Sequence, residues 1–195
     1  MTRNLSSGLL LLLIATTLVW TQAGLAADDN LLKNGNFEKR QSQSLPMGWQ
    51  AFSSDKNHWY GTFSREDAST GSSSVSFLNS DKKVDYQGIF QPVRVKPGQR
   101  FEFSVYVAND PDHPLSGLSH GQLSIEWFDA QGKELDRSWS QAWGTHTSQE
   151  KWVKYAMVGT APAKAVQGNF VITFFSGGET TGGFVLDDAA VIKTK

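Results

Sequence analysis

Three of the seven tryptophans, Trp59, Trp139 and Trp143, stand among polar residues, the latter two close to Arg137, Ser138 and Gln141. An indole face set beside amide, hydroxyl and guanidinium groups suits a polyhydroxylated ring. The C–H faces of a sugar stack on the aromatic, while its hydroxyls hydrogen-bond to the planar polar neighbours. Tyr86, Gln87, Tyr106 and Glu126 are read on strand faces turned away from the core and join these tryptophans as candidates to line a cleft. Trp49, Trp127 and Trp152 are assigned instead to core packing.

Catalytic chemistry has no comparable set of residues. Glycoside hydrolysis needs two carboxylates facing each other across a cleft, roughly 5 to 10 Å apart. Asp187 and Asp188 are adjacent, and neighbours in a strand point to opposite faces. Glu126 is read in a strand, whereas Asp129 falls in a turn. No G-x-S-x-G segment offers a nucleophile elbow. The histidines, His58, His113, His120 and His146, occupy polar segments with no HxH or HExxH spacing, so they read as solvated loop residues. His113 and His120, flanking one loop, leave a minor metal alternative.

The elements that must position the cleft are all short and extended. Gly88 to Val95 and Arg100 to Ala108 are two strand-like runs joined by Lys96-Pro97-Gly98-Gln99, a turn sequence that predicts a hairpin. In the second run Phe101, Phe103, Val105 and Val107 share one face, and Glu102, Ser104, Tyr106 and Ala108 share the other. Further strands are predicted at Leu31-Leu32, Trp49 to Phe52, Trp59 to Phe63, Val75 to Leu78, Gln122 to Phe128, Trp152 to Val158, Asn169 to Phe175 and Phe184 to Ile192. Trp139 to Glu150 reads as irregular. With no sustained helical period, about nine or ten strands punctuated by Gly and Pro indicate one all-β domain, an antiparallel sandwich or jelly roll.

The N-terminus has the pattern of a cleaved signal peptide over residues 1–26: Arg3, an apolar run from Leu9 to Val19, and small residues at Gly24 and Ala26. The run is shorter than the roughly 20 residues that span a bilayer, so membrane insertion is not expected. Residues 27–195 would then form the exported domain, periplasmic or secreted. With no cysteine, its stability rests on the core and on any bound ion. A formal net charge of −1 offers no electrostatic footprint for nucleic acid.

An ordered set of motifs resembles the carbohydrate-binding modules of the family 4, 9 and 22 type, within the galactose-binding-like β-sandwiches. It comprises Leu31-Leu32-Lys33-Asn34-Gly35-Asn36-Phe37-Glu38, Pro46-Met47-Gly48-Trp49, Gly71 to Val75, Tyr86 to Val93, Val95 to Gln99, and Phe184 to Asp188. The resemblance implies a jelly roll with a structural Ca²⁺, and a glycan site on the concave sheet or at a loop edge. Carried over residue by residue, it implies ion ligands from the carboxylates of Glu38 and Asp187 and the carbonyls of Asn36, Thr70 and Ser73. The leading expectation is a monomeric, non-catalytic module that recognises a poly- or oligosaccharide. A β-sandwich that binds another protein at the surface or in the periplasm is the alternative.

Overall fold

The computed structural model describes residues 29–55, 61–64, 68–79, 84–178 and 182–195. The leader expected over residues 1–26 and the candidate Trp59 lie outside the described residues. Among the described residues ten strands follow one another: β1 (Gln50–Ser53), β2 (Gly61–Ser64), β3 (Ser74–Asn79), β4 (Tyr86–Arg94), β5 (Arg100–Asn109), β6 (His120–Phe128), β7 (Glu134–Trp139), β8 (Val153–Thr160), β9 (Gln167–Phe175) and β10 (Gly182–Thr194). They form two five-stranded antiparallel sheets, one ordered β1-β4-β9-β6-β7 and the other β2-β3-β10-β5-β8. The expected all-β sandwich is the observed fold.

Period-two patterning explains how the sheets stack. Phe101, Phe103, Val105 and Val107 of β5 are all buried and meet Ile125, Trp127, Phe170, Ile172 and Phe174 from the opposite sheet. Phe170 stands edge-on to both Phe101 and Phe103, with ring centroids 5.8 and 5.5 Å away. Such aromatic pairs add about 0.5–1.5 kcal/mol each beyond the area they bury. Truncating Phe103 to Ala should cost about 3–5 kcal/mol.

The turn at Lys96–Gln99 does not close a hairpin. β4 pairs with β1 and β9, whereas β5 pairs with β8 and β10, so the turn carries the chain from one sheet to the other. It is braced across the sandwich edge, with Gly98 N donating to Ala161 O at 2.8 Å and Ala161 N to Gln99 O at 2.9 Å. Pro-Gly chemistry specifies a reversal of direction but says nothing of which partner each strand then takes.

Two other segments differ from expectation. Leu31-Leu32 forms no strand, because the Asn30 side chain takes over the ladder: its Oδ1 accepts from Leu32 N and Val191 N, and its Nδ2 donates to Ala189 O. β7 was hidden in the sequence because it is a charged edge strand, Glu134-Leu135-Asp136-Arg137, without clean apolar alternation. Charge on an edge strand discourages pairing with another chain.

Candidate functional site

Alternation on the first sheet turns one complete face outward. β9 sends Phe170, Ile172 and Phe174 into the core and presents Asn169, Val171, Thr173 and Phe175 on the other side. The register aligns these residues in cross-strand rows: Pro92, Asn169, Glu126 and Arg137; then Phe90, Val171, Ser124 and Trp139; then Phe52, Gly88, Thr173 and Gln122; then Tyr86, Phe175 and His120. A groove of about 340 Å³ runs over this face.

Aromatic side chains wall the groove on both sides. Phe52 sits 6.3 Å from Tyr86 and 6.2 Å from Phe90, and it lies across Gly88, where any side chain would run into it. On the opposite side Trp139 packs 6.3 Å from Phe175 and carries the Arg137 guanidinium 5.4 Å above its ring. Tyr86 and Trp139 remain 43% and 44% exposed, so each keeps a ring face available. The floor between them is small and polar at Thr173.

One end of the groove is charged. Arg137 is held by a bidentate pair to Glu134, with Nε to Oε1 at 2.9 Å and Nη2 to Oε2 at 3.0 Å, and it lies 3.1 Å from Glu126. Burial raises the Glu126 carboxyl above its ordinary range and the charge of Glu134 adds to this, against the pull of Arg137 and a hydrogen bond from Asn169. Glu126 is the single carboxylate lining the groove among the described residues. The other end is aromatic, with His120 stacked on Phe175 at 4.9 Å and 18°.

Of the sequence candidates, Tyr86, Glu126 and Trp139 come together in this groove. Trp143 does not: it is fully buried against Tyr155 and Phe184, and its ring occupies the space a side chain at Gly121 would need. Gln87 is also buried, because Tyr86 takes the outward position and the adjacent residue must face the core. Tyr106 faces outward on β5, in the other sheet, with Asp187 and Lys154 as register partners. Trp152 is half-buried just before β8 and outside the core cluster. His120 opens β6, at the end of the loop that also holds His113, and stands in the groove row with its Nδ1 2.9 Å from Leu118 O. Phe52, Phe90, Asn169, Thr173 and Phe175 escaped the sequence reading, although the alternation of Asn169 to Phe175 assigns three of them to the non-core face.

The residues implied as ion ligands gather at a second place. Glu38 Oε1 accepts from Ser72 N at 2.8 Å and Ser73 N at 2.9 Å, and its Oε2 accepts from the Ser72 hydroxyl at 2.9 Å. Asp187 Oδ2 accepts from Ser69 N at 2.9 Å and Thr70 N at 3.0 Å, and its Oδ1 accepts from Asp188 N at 2.7 Å. Two carboxylates from opposite ends of the chain thus grip one loop. Asn36 is exposed and shares a cavity with Thr70 and Asp188, while Ser73 is buried. Asp187 and Asp188 do not diverge as regular alternation requires: the strand bulges between Asp187 and Ala190, Asp188 has φ +50°, and the Thr70 hydroxyl donates to Asp188 Oδ1 at 2.8 Å.

This cluster fits a hard cation on one physical ground. Asp187 is fully buried, and its carboxyl is pushed up to about 7, chiefly by burial; the nearest charge acting on it is another carboxylate, Asp188. A buried carboxyl that is costly to ionise beside a second carboxylate is a setting in which Ca²⁺, which takes carboxylate and carbonyl oxygens together, would offset that cost. Among the described residues no group of three or more His, Cys, Asp or Glu is placed to hold a metal. A site here would therefore draw on main-chain oxygens beside its carboxylates.

Residues 29–181 match the family model described as a carbohydrate binding domain, and the chain belongs to that family. No curated protein sequence matches it significantly. Solved structures of the same fold include the xylan-binding CBM22-1 domain of Paenibacillus barcinonensis Xyn10C, at 17% identity and TM-score 0.57, covering 86% of this chain and 96% of that one. TmCBM61 in complex with β-1,4-galactotriose is similar at 14% identity and TM-score 0.54, covering 85% and 99%. The enzymatically active domain of bacteriophage CBA120 tailspike protein 4 matches at 16% identity and TM-score 0.64. There the match covers 85% of this chain but only 22% of the phage chain.

Proposed function

We propose that this protein is an exported, non-catalytic module that binds a segment of neutral polysaccharide in the groove over β4, β9, β6 and β7. The observation that carries the reading is the pair of exposed rings, Tyr86 and Trp139, on opposite walls of an open groove with Thr173, Asn169 and Glu126 beneath. Stacking on the two rings supplies affinity, and the polar floor selects hydroxyl orientation. Arg137 is compensated by two carboxylates, which favours a neutral sugar over a uronate. Among the described residues the one groove carboxylate, tied to Arg137, has no facing partner of the kind glycoside hydrolysis requires, which supports a binding role.

Ca²⁺ belongs to the same proposal as a structural ion. Glu38 and Asp187, with carbonyls of Asn36, Thr70 and Ser73, would hold it, fastening the loop before β3 to the β10 bulge. Affinity electrophoresis of the calcium-loaded domain through gels containing xylan, β-galactan, β-glucan or polygalacturonate tests the reading. Retardation by at least one neutral polymer, with none by polygalacturonate, is expected. Unretarded migration in every gel would overturn it.

A further inference from the structure

A smaller cavity of about 180 Å³, roughly half the volume of the groove, opens on the opposite face of the sandwich. Its floor is Ala108 on β5 and its register partner Val185 on β10, both buried, while their neighbours Val107 and Leu186 point into the core. Trp152 forms a wall, half-buried and without an aromatic partner among the described residues. Gln149 and Glu150 stand exposed at the rim. The Gln149 amide donates to Pro111 O at 3.3 Å, which leaves its Oε1 as an acceptor.

We infer that this cavity is a second carbohydrate site, for a single neutral pyranose at a chain end or branch. An indole face over small apolar side chains accommodates the C–H face of one ring. Acceptors at the rim, Gln149 Oε1 and the Glu150 carboxylate, receive its hydroxyl protons, and no cationic side chain lines the cavity among the described residues to draw an anion. The volume suits one ring and is too small for a chain. With sites on opposite faces, one molecule could bridge two polysaccharide strands and gain avidity that neither site has alone. The inference extends the glycan-binding reading but depends on none of the groove residues.

The test uses the full domain labelled with 5-fluorotryptophan, observed by ¹⁹F NMR during titration with the methyl β-glycosides of xylose, glucose and galactose. Trp152→Phe assigns the Trp152 resonance. That resonance should shift saturably with at least one glycoside, and should do so equally in a Tyr86→Ala/Trp139→Ala variant whose groove is disabled. Replacing Gln149 with Ala and Glu150 with Gln together should weaken the response about fivefold or more at unchanged Tm. A Trp152 resonance that stays fixed with all three glycosides while Trp139 responds to xylohexaose would overturn the second site and leave the groove intact. A Trp152 response indifferent to the Gln149 and Glu150 changes would also overturn it, since nothing specific would then be bound.

Discussion

Trp139 contributes its ring face to the groove and little to the core, so Trp139→Ala should separate binding from folding. Loss of one stacking partner is expected to weaken glycan binding roughly tenfold, with Tm nearly unchanged, as calorimetric titration and thermal denaturation would show. Trp143→Ala should do the reverse, unfolding the domain or lowering Tm sharply, because it empties a buried site between Tyr155 and Phe184. Glu126 provides a pH signature. Its carboxyl lies above the ordinary range, so it takes up a proton at a less acidic pH than an exposed glutamate and loses its role as a charged acceptor. Affinity should fall as pH is lowered from neutrality through that raised pKa, and Glu126→Gln should flatten the profile. Individual site residues were only partly legible in the sequence. Polar surroundings pointed equally to Trp139 and Trp143, yet the isolated bridge pairing Gly121 with Trp143 draws the second ring inward. A one-dimensional neighbourhood cannot register that contact.

The loop from Ser69 to Ser73 is the element on which the ion proposal turns. In chelator-treated protein the sign for Asp187 is fixed. Its carboxyl sits at about 7 when folded, against 3.8 ordinarily, so the folded state holds the proton more tightly. Stability is therefore fully present below the ordinary pKa, falls as pH rises through about 7, and is flat beyond. A bound cation favours the carboxylate and opposes this loss. Added calcium should thus raise Tm by several degrees, and by more at pH 8 than at pH 5; an equal or absent effect would contradict the site. Gly71 holds φ +67° with Glu38 directly above it, so Gly71→Ala should cost about 1 kcal/mol or more in denaturant unfolding. Strand positions were the most legible level of all, because β5 and β6 alternate cleanly and β9 and β10 carry short, dense apolar runs. Pairing was less so. The Pro97-Gly98 reversal looked like a hairpin and proved to be a crossing between sheets, since partner choice depends on distant residues such as Ala161 and Val166 that hold the turn.

For the whole molecule, the two sheets divide the work. Their facing surfaces make the core, while the outer surface of the β1-β4-β9-β6-β7 sheet carries the groove and that of the β2-β3-β10-β5-β8 sheet carries Trp152 and the smaller cavity. The motifs spread from Leu31 to Asp188 specify the architecture, because they mark turns and bulges that the backbone requires. They do not identify the face that bears the groove, which arises only when β9, remote in sequence, inserts between β4 and β6. The most direct measurement is calorimetric titration of the calcium-loaded domain with xylohexaose and with β-1,4-galactotriose, for the wild type and for Tyr86→Ala/Trp139→Ala. Saturable binding of at least one by the wild type, reduced about 100-fold or abolished in a double variant of unchanged Tm, is expected if each ring contributes roughly tenfold. Binding of equal strength in both proteins would contradict the assignment of this groove as the glycan site.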